Sequence, residues 1–249
     1  MLELKNISVG YGSKTVVEGA TVSFEKGKLT SIIGVNGCGK STMLKAILGI
    51  LPLSSGEVVI DGKDIRSMSR NEIAKRVAYL AQGKNTPDMT VEQMVLHGRF
   101  PYLSYPRRYK EADREIARNA MSVVGVSRLA SKLLSTLSGG MRQNAYIAMA
   151  LAQDTDYILL DEPTTYLDIA HQRELMKILR ELSDKGKGIV TVMHDLPMAF
   201  NFSDEIAVLR NGGQVLKDKP ERIAADPDIE KIFGVRIDYL EREEKYLIF

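Results

Sequence analysis

The eight residues from Gly34 to Ser41, G-V-N-G-C-G-K-S, set glycines, a lysine and a hydroxyl in the order that lets a backbone wrap phosphate. Glycines let successive N–H groups curl around the anion, and a helix opening directly behind them adds positive potential. In that geometry Lys40 reaches the β- and γ-phosphates of a nucleotide, and the Ser41 hydroxyl ligates Mg²⁺. The candidate contacts over this stretch are Gly34, Asn36, Gly37, Cys38, Gly39, Lys40, Ser41 and Thr42. The plainer alternative is a glycine-rich turn with no ligand; against it, Lys40 and Ser41 follow the last glycine in register and both flanks fit.

Two further clusters carry chemistry. Tyr157-Ile158-Leu159-Leu160 is an apolar run ending in two acids, Asp161 and Glu162, and the C-terminal ends of strands are where open α/β sheets place their ligands. Asp161 then holds the Mg²⁺ shell and Glu162 polarises an attacking water. A solvated acidic turn is the alternative, and it loses ground once a phosphate loop lies upstream. Leu137-Ser138-Gly139-Gly140-Met141 opens a helix, with Ser138 as a natural N-cap and two glycines baring N–H groups. Spacing alone favours an ordinary capped helix there. Read as an anion site it is the second in the chain, and it invites a dimer in which each loop-bound nucleotide is covered by the partner's helix start.

The elements that must position these groups follow from periodicity. Alternation from Leu2 to Val9 and at Val22 and Phe24 predicts half-buried strands, and Leu29 to Ile33 a buried one leading into the loop. Met43, Leu44, Ile47, Leu48 and Leu51 form one helical stripe stopped by Pro52. A hairpin-like segment, Glu57 to Ile60, turns at Asp61-Gly62. From Gln82 to Asp156 the pattern is helical, at Val91 to Leu96, Ala112 to Val124 and Ala145 to Leu151. Strands resume at Tyr157 to Leu160 and Ile189 to Met193, joined by a helix carrying Leu175, Ile178, Leu179 and Leu182. That is a right-handed crossover in a parallel sheet. A last run, Ile206 to Leu209, turns at Asn211-Gly212-Gly213, and the tail from Asp226 to Phe249 reads as a small helix plus an extended segment.

Composition bounds the rest. The 249 residues carry 34 basic and 32 acidic side chains, so the net charge of +2 argues against nucleic-acid binding through a basic face. One cysteine forbids an internal disulfide. No apolar run approaches the roughly 18 residues of a membrane span, and the N-terminus offers no signal segment, so a cytoplasmic protein is expected.

The order of phosphate loop, Gln82, L-S-G-G at Leu137–Gly140, strand-Asp161-Glu162 and His194 resembles the motif set of the nucleotide-binding subunits of ATP-binding cassette transporters, over nearly the whole chain. The resemblance implies an α/β P-loop NTPase fold: a RecA-like parallel-sheet core, an N-terminal antiparallel β subdomain and an inserted α-helical signature subdomain. It implies one domain over 1–249, with the core at 1–82 and 156–220, the helical subdomain at 83–155 and a tail at 221–249. By the same resemblance the chain hydrolyses ATP with Mg²⁺, and Tyr11 stacks on adenine. Gln82 touches Mg²⁺ or water at the joint facing a membrane subunit. Asp168, in Tyr166-Leu167-Asp168, signals between nucleotide sites, and His194 contacts the γ-phosphate. Expected partners are a second copy, polytopic permease subunits and, indirectly, a solute-binding protein, which puts the chain peripherally on the inner face of the membrane. The family's signature usually has Gln where Met141 stands, and its loop often has proline at Val35. Cys38 sits inside the loop, so its alkylation is expected to block nucleotide binding and ATP to slow the alkylation.

The stretch His97-Gly98-Arg99-Phe100-Pro101-Tyr102 and the run D-E-P-T-T-Y-L-D resemble the ATPases of iron–siderophore, haem and cobalamin importers. A helix end packed by Phe100 and Tyr102 is the structural alternative for the first. The rival function is a cassette ATPase of a soluble machine, iron–sulfur cluster assembly being the hardest to exclude by length.

Overall fold

The computed structural model describes residues 1–83, 86–165, 167–210, 212–241, 243 and 245–249; Tyr166 and Asn211, named above, lie outside the described residues. In chain order the elements are β1 (Leu2–Tyr11), β2 (Lys14–Phe24), β3 (Leu29–Ile33), α1 (Lys40–Ile47), β4 (Leu53–Ile60), β5 (Lys63–Asp64), α2 (Arg70–Ala74), β6 (Val77–Leu80), α3 (Val91–His97), α4 (Glu111–Val123), α5 (Gly139–Ala152), β7 (Tyr157–Asp161), α6 (Ile169–Asp184), β8 (Gly188–Val192), α7 (Leu196–Phe202), β9 (Glu205–Leu209), β10 (Val215–Asp218), α8 (Pro220–Ala224), α9 (Pro227–Phe233), β11 (Ile237–Leu240) and β12 (Lys245–Ile248).

The central sheet runs β10-β9-β3-β8-β7-β6, parallel from β9 to β6 with β10 antiparallel at its edge. Strands β3, β7 and β8 are buried at every residue, so both faces are apolar and the sequence reads as an unbroken hydrophobic run. The two faces feed two cores by strict alternation. Ile158 and Leu160 of β7, Ile189 of β8 and Ile206 and Val208 of β9 pack on one side, against α5, α6 and α7. Tyr157 and Leu159, Val190 and Val192, and Ala207 and Leu209 pack on the other, against α1. Met43, Leu44 and Ile47 place α1 between that face and the antiparallel sheet β2-β1-β4-β5, whose Leu2, Leu4, Ile7 and Val9 close the layer.

The parallel order β3-β8-β7-β6 sets four strand C-termini side by side. Gly34, His194, Glu162 and Gln82 each stand just beyond one of them, which is why residues scattered along the sequence meet. Helices α3, α4 and α5 share one core through Val95, Ala117, Ala120, Ala145 and Ala148. Among the described residues, no helix is long and apolar enough to cross a membrane.

Several expectations need correction. The helix after the phosphate loop ends at Ile47, well before Pro52, because Gly49 takes a left-handed conformation (φ 63°) and turns the chain away; Leu48 and Leu51 lie outside it but still pack on its core. Strands β6 and β10 are absent from the sequence reading. Val77–Leu80 has only four residues, and Val215–Asp218 mixes two charges into an edge strand, so neither gives a period long enough to register. The tail holds α9 followed by a β11–β12 hairpin.

Candidate nucleotide site

The loop from Gly34 to Ser41 leaves β3 and enters α1 through Gly39, which sits at φ 109° where a side chain would be strained. Gly37 is also left-handed, at φ 79°. Cys38 N–H bonds the Val35 carbonyl at 3.3 Å, whereas among the described residues no protein acceptor takes the N–H of Gly37, Gly39, Ser41 or Thr42. Those donors are the unpaired groups of a helix start and its loop, which an anion can satisfy. Lys40 is only 6% exposed, and its Nζ donates to the Gly34 carbonyl at 2.8 Å and the Val35 carbonyl at 3.2 Å. The loop thus holds its own cation in place.

Beside it the Ser41 hydroxyl donates to Asp161 Oδ1 at 2.9 Å, and the Tyr79 hydroxyl donates to Oδ2 at 3.2 Å. Burial pushes the Asp161 carboxyl above its ordinary range, and these two hydrogen bonds only partly offset it. A buried carboxylate with a hydroxyl at hand is a hard oxygen set that fits Mg²⁺, which is commonly bound by one or two protein oxygens together with substrate phosphates. Among the described residues no cluster of three or more His, Cys, Asp or Glu side chains is arranged for a metal. Burial, followed by the nearby Asp161 charge, drives the Tyr79 phenol well above its usual range, so it stays a donor.

Glu162 is the meeting point. Its backbone is left-handed, at φ 51°, and its N–H donates to Val192 O at 3.2 Å, tying the end of β7 to the end of β8. Its Oε1 lies 2.5 Å from His194 Nε2, its Oε2 accepts from the Gln82 side-chain amide, and Thr165 Oγ1 reaches Oε2 at 3.3 Å. His194 is fixed between the end of β8 and α7, whose first turn is capped by Asp195 accepting from Met198 N–H at 2.8 Å. A cleft of about 200 Å³ opens here, lined by Gln82, Asp161, Glu162, Gly139, Arg142 and Tyr146. The carboxylate and amide of the cleft wall, with an imidazole bonded to that carboxylate, can hold a water and take its proton.

The other singled-out residues lie farther out. Tyr11 ends β1, half exposed, with its hydroxyl 3.4 Å from the Lys45 ammonium on α1. Ser138 caps α5, accepting from Met141 N–H at 3.4 Å, and Gly140 lies against the His171 ring. Asp168 caps α6 and holds His171 by both its backbone N–H (2.9 Å) and its Nδ1 (2.8 Å); these bonds keep the Asp168 carboxyl below its usual range. The starts of α5 and α6 therefore adjoin within one chain. Cys38 departs from expectation: its thiol is 3% exposed, packs into the core beneath the loop and is pushed up by burial, so the folded chain does not offer it to an alkylating reagent. Tyr79 and Thr165 were not singled out from sequence; the signal for Tyr79 is a phenol on a strand that leads directly to Gln82.

A model of the ABC transporter family matches residues 17–165. The chain is 42% identical to the ferric enterobactin transport ATP-binding protein FepC of Escherichia coli (strain K12), over 93% of this chain and 86% of that one. It is 43% identical to the iron(3+)-hydroxamate import ATP-binding protein FhuC of Bacillus subtilis (strain 168), over 92% and 86%. Among solved structures it resembles the ATP-binding cassette MJ0796, a dimer in a post-hydrolysis state bound to ADP and phosphate, at a TM-score of 0.76 and 29% identity, covering 88% of this chain and 99% of that one.

Proposed function

The chain belongs to the ABC transporter family as an ATP-hydrolysing subunit, and we propose on that premise that it powers an importer of iron chelates of the siderophore or ferric-hydroxamate kind. The observation that carries the reading is the near full-length similarity to two ATP-binding proteins of ferric-chelate uptake. It favours this class over haem or cobalamin, which the sequence also allowed, and over cluster assembly.

Two copies enclose two nucleotides, each between the Gly34–Ser41 loop of one and the Ser138–Gly140 helix start of the other; the dimeric cassette supports this arrangement. Loop N–H groups and Lys40 grip the phosphates; Ser41 and Asp161 would hold Mg²⁺, which would supply neutralisation of the phosphate charge. Glu162 takes the proton of the attacking water while His194 and Gln82, already within hydrogen-bond reach of it, orient that water. Tyr11 covers the adenine. Polytopic permease subunits hold the dimer at the cytoplasmic face of the membrane, and a solute-binding protein delivers the chelate to them.

Affinity capture of the tagged chain from detergent-solubilised membranes, followed by mass spectrometry, is expected to recover a polytopic membrane subunit in stoichiometric amount. Recovery of a soluble cluster-assembly complex instead would overturn the proposal.

A further inference from the structure

The segment His97–Tyr102 closes the far end of the helix that starts at Ser138. Arg99, 7% exposed, donates from Nη1 to Ala152 O at 2.9 Å and from Nε to Asp113 Oδ1 at 3.1 Å, and its guanidinium lies 4.0 Å from the centre of the Tyr102 ring. The Tyr102 hydroxyl donates to Gln153 O at 2.9 Å and reaches Asp154 O at 3.3 Å. The carbonyls at the end of α5, which no helical N–H satisfies, are thus taken by two side chains from the segment that follows α3. Gly98 makes this approach feasible, because a Cβ there would stand 2.2 Å from Met149 O. The opposite bond leads to the central sheet: Gln153 Nε2 donates to Ala74 O at 2.5 Å and to Val77 O at 3.1 Å, at the entry to β6.

We infer that Arg99, Tyr102 and Gln153 form a joint that fixes the C-terminal end of α5 to the sheet and so aims its Ser138 start at the partner's nucleotide. They are positioning residues for ATP hydrolysis, and the inference rests on the composite site proposed above. The helix has 14 residues. At about 1.5 Å of rise per residue it is a lever of roughly 21 Å, so a tilt of about 3° at the joint moves Ser138 by about 1 Å. A misplacement of about 1 Å costs on the order of 10²-fold in rate. Bonds at the base of α5 therefore control geometry at its tip. The cationic and phenolic groups also suit the negative end of the helix dipole, which accounts for Arg and Tyr at these positions.

The test uses the full chain carrying Tyr102→Phe and Gln153→Met together, which keeps the ring stack and side-chain length and removes only the hydrogen bonds. The expected result is kcat lowered by about 10- to 100-fold, with nucleotide affinity of the dilute, monomeric chain and its melting temperature close to wild type. Wild-type kcat overturns the inference. Loss of nucleotide binding by the monomer in step with kcat overturns it too, because the joint then serves only to hold the fold. Ser138→Phe separates the joint from its premise: full hydrolysis in that variant removes the composite site, whereas a dead Ser138→Phe beside a fully active double variant removes the joint alone.

Discussion

Glu162→Gln is expected to slow ATP turnover by about 10²–10⁴-fold, the range contributed by a positioned general base, while leaving nucleotide binding intact. The substitution is isosteric, so the packing at the end of β7 is kept, and the amide oxygen can still accept a hydrogen bond from Gln82 or Thr165. The lost property is basicity: a neutral amide cannot take the proton of the attacking water. With binding preserved and chemistry blocked, the two copies should accumulate as a closed dimer holding ATP. Phosphate release under steady state measures the first effect, and gel filtration with and without ATP measures the second. Turnover at the wild-type rate would reassign the base to another group in the cleft.

Lys40→Ala is expected to abolish hydrolysis and to weaken ATP binding by about 10- to 150-fold, which corresponds to losing one charge-assisted hydrogen bond worth roughly 1.5–3 kcal/mol. The ammonium is almost fully buried and already bonded to the Gly34 and Val35 carbonyls, so it sits in the loop before any phosphate arrives and little side-chain freedom is lost on binding. Removing it deletes the cation proposed to face the β- and γ-phosphates and leaves two loop carbonyls without their donor. Equilibrium titration with a fluorescent ATP analogue reads the affinity. An unchanged dissociation constant would contradict the assignment of this loop to the phosphates.

Much of this was legible because the chemistry sits at strand ends. An apolar run followed by glycines and lysine, or by two acids, states at once the element, its direction and the ligand end, and β3 and β7 were found to within one residue at either end. Strands with polar interruptions were not legible: Tyr79 points a phenol at Asp161 from within β6, and a four-residue strand with one polar tip has no usable period. The joint at the base of α5 was legible only as an unusual segment. Arg99 and Tyr102 act on Ala152 and Gln153, roughly 50 residues along the chain, and a hydrogen bond to a carbonyl leaves no mark on the identity of the residue that accepts it. Cys38 shows the reverse limit: membership of a ligand-binding loop does not say which way a side chain points, and this one points into the core.

The positive φ of Glu162 has a consequence for anyone engineering this chain. Glutamate held there costs on the order of 1–3 kcal/mol, and glycine would relieve most of that strain. Selection for heat resistance alone therefore pulls this position away from glutamate and, with Glu162 as the proposed base, toward inactive proteins. Thermostable variants have to be screened for turnover at the same time, because under that proposal durability and catalysis are opposed at this residue by the shape of the backbone.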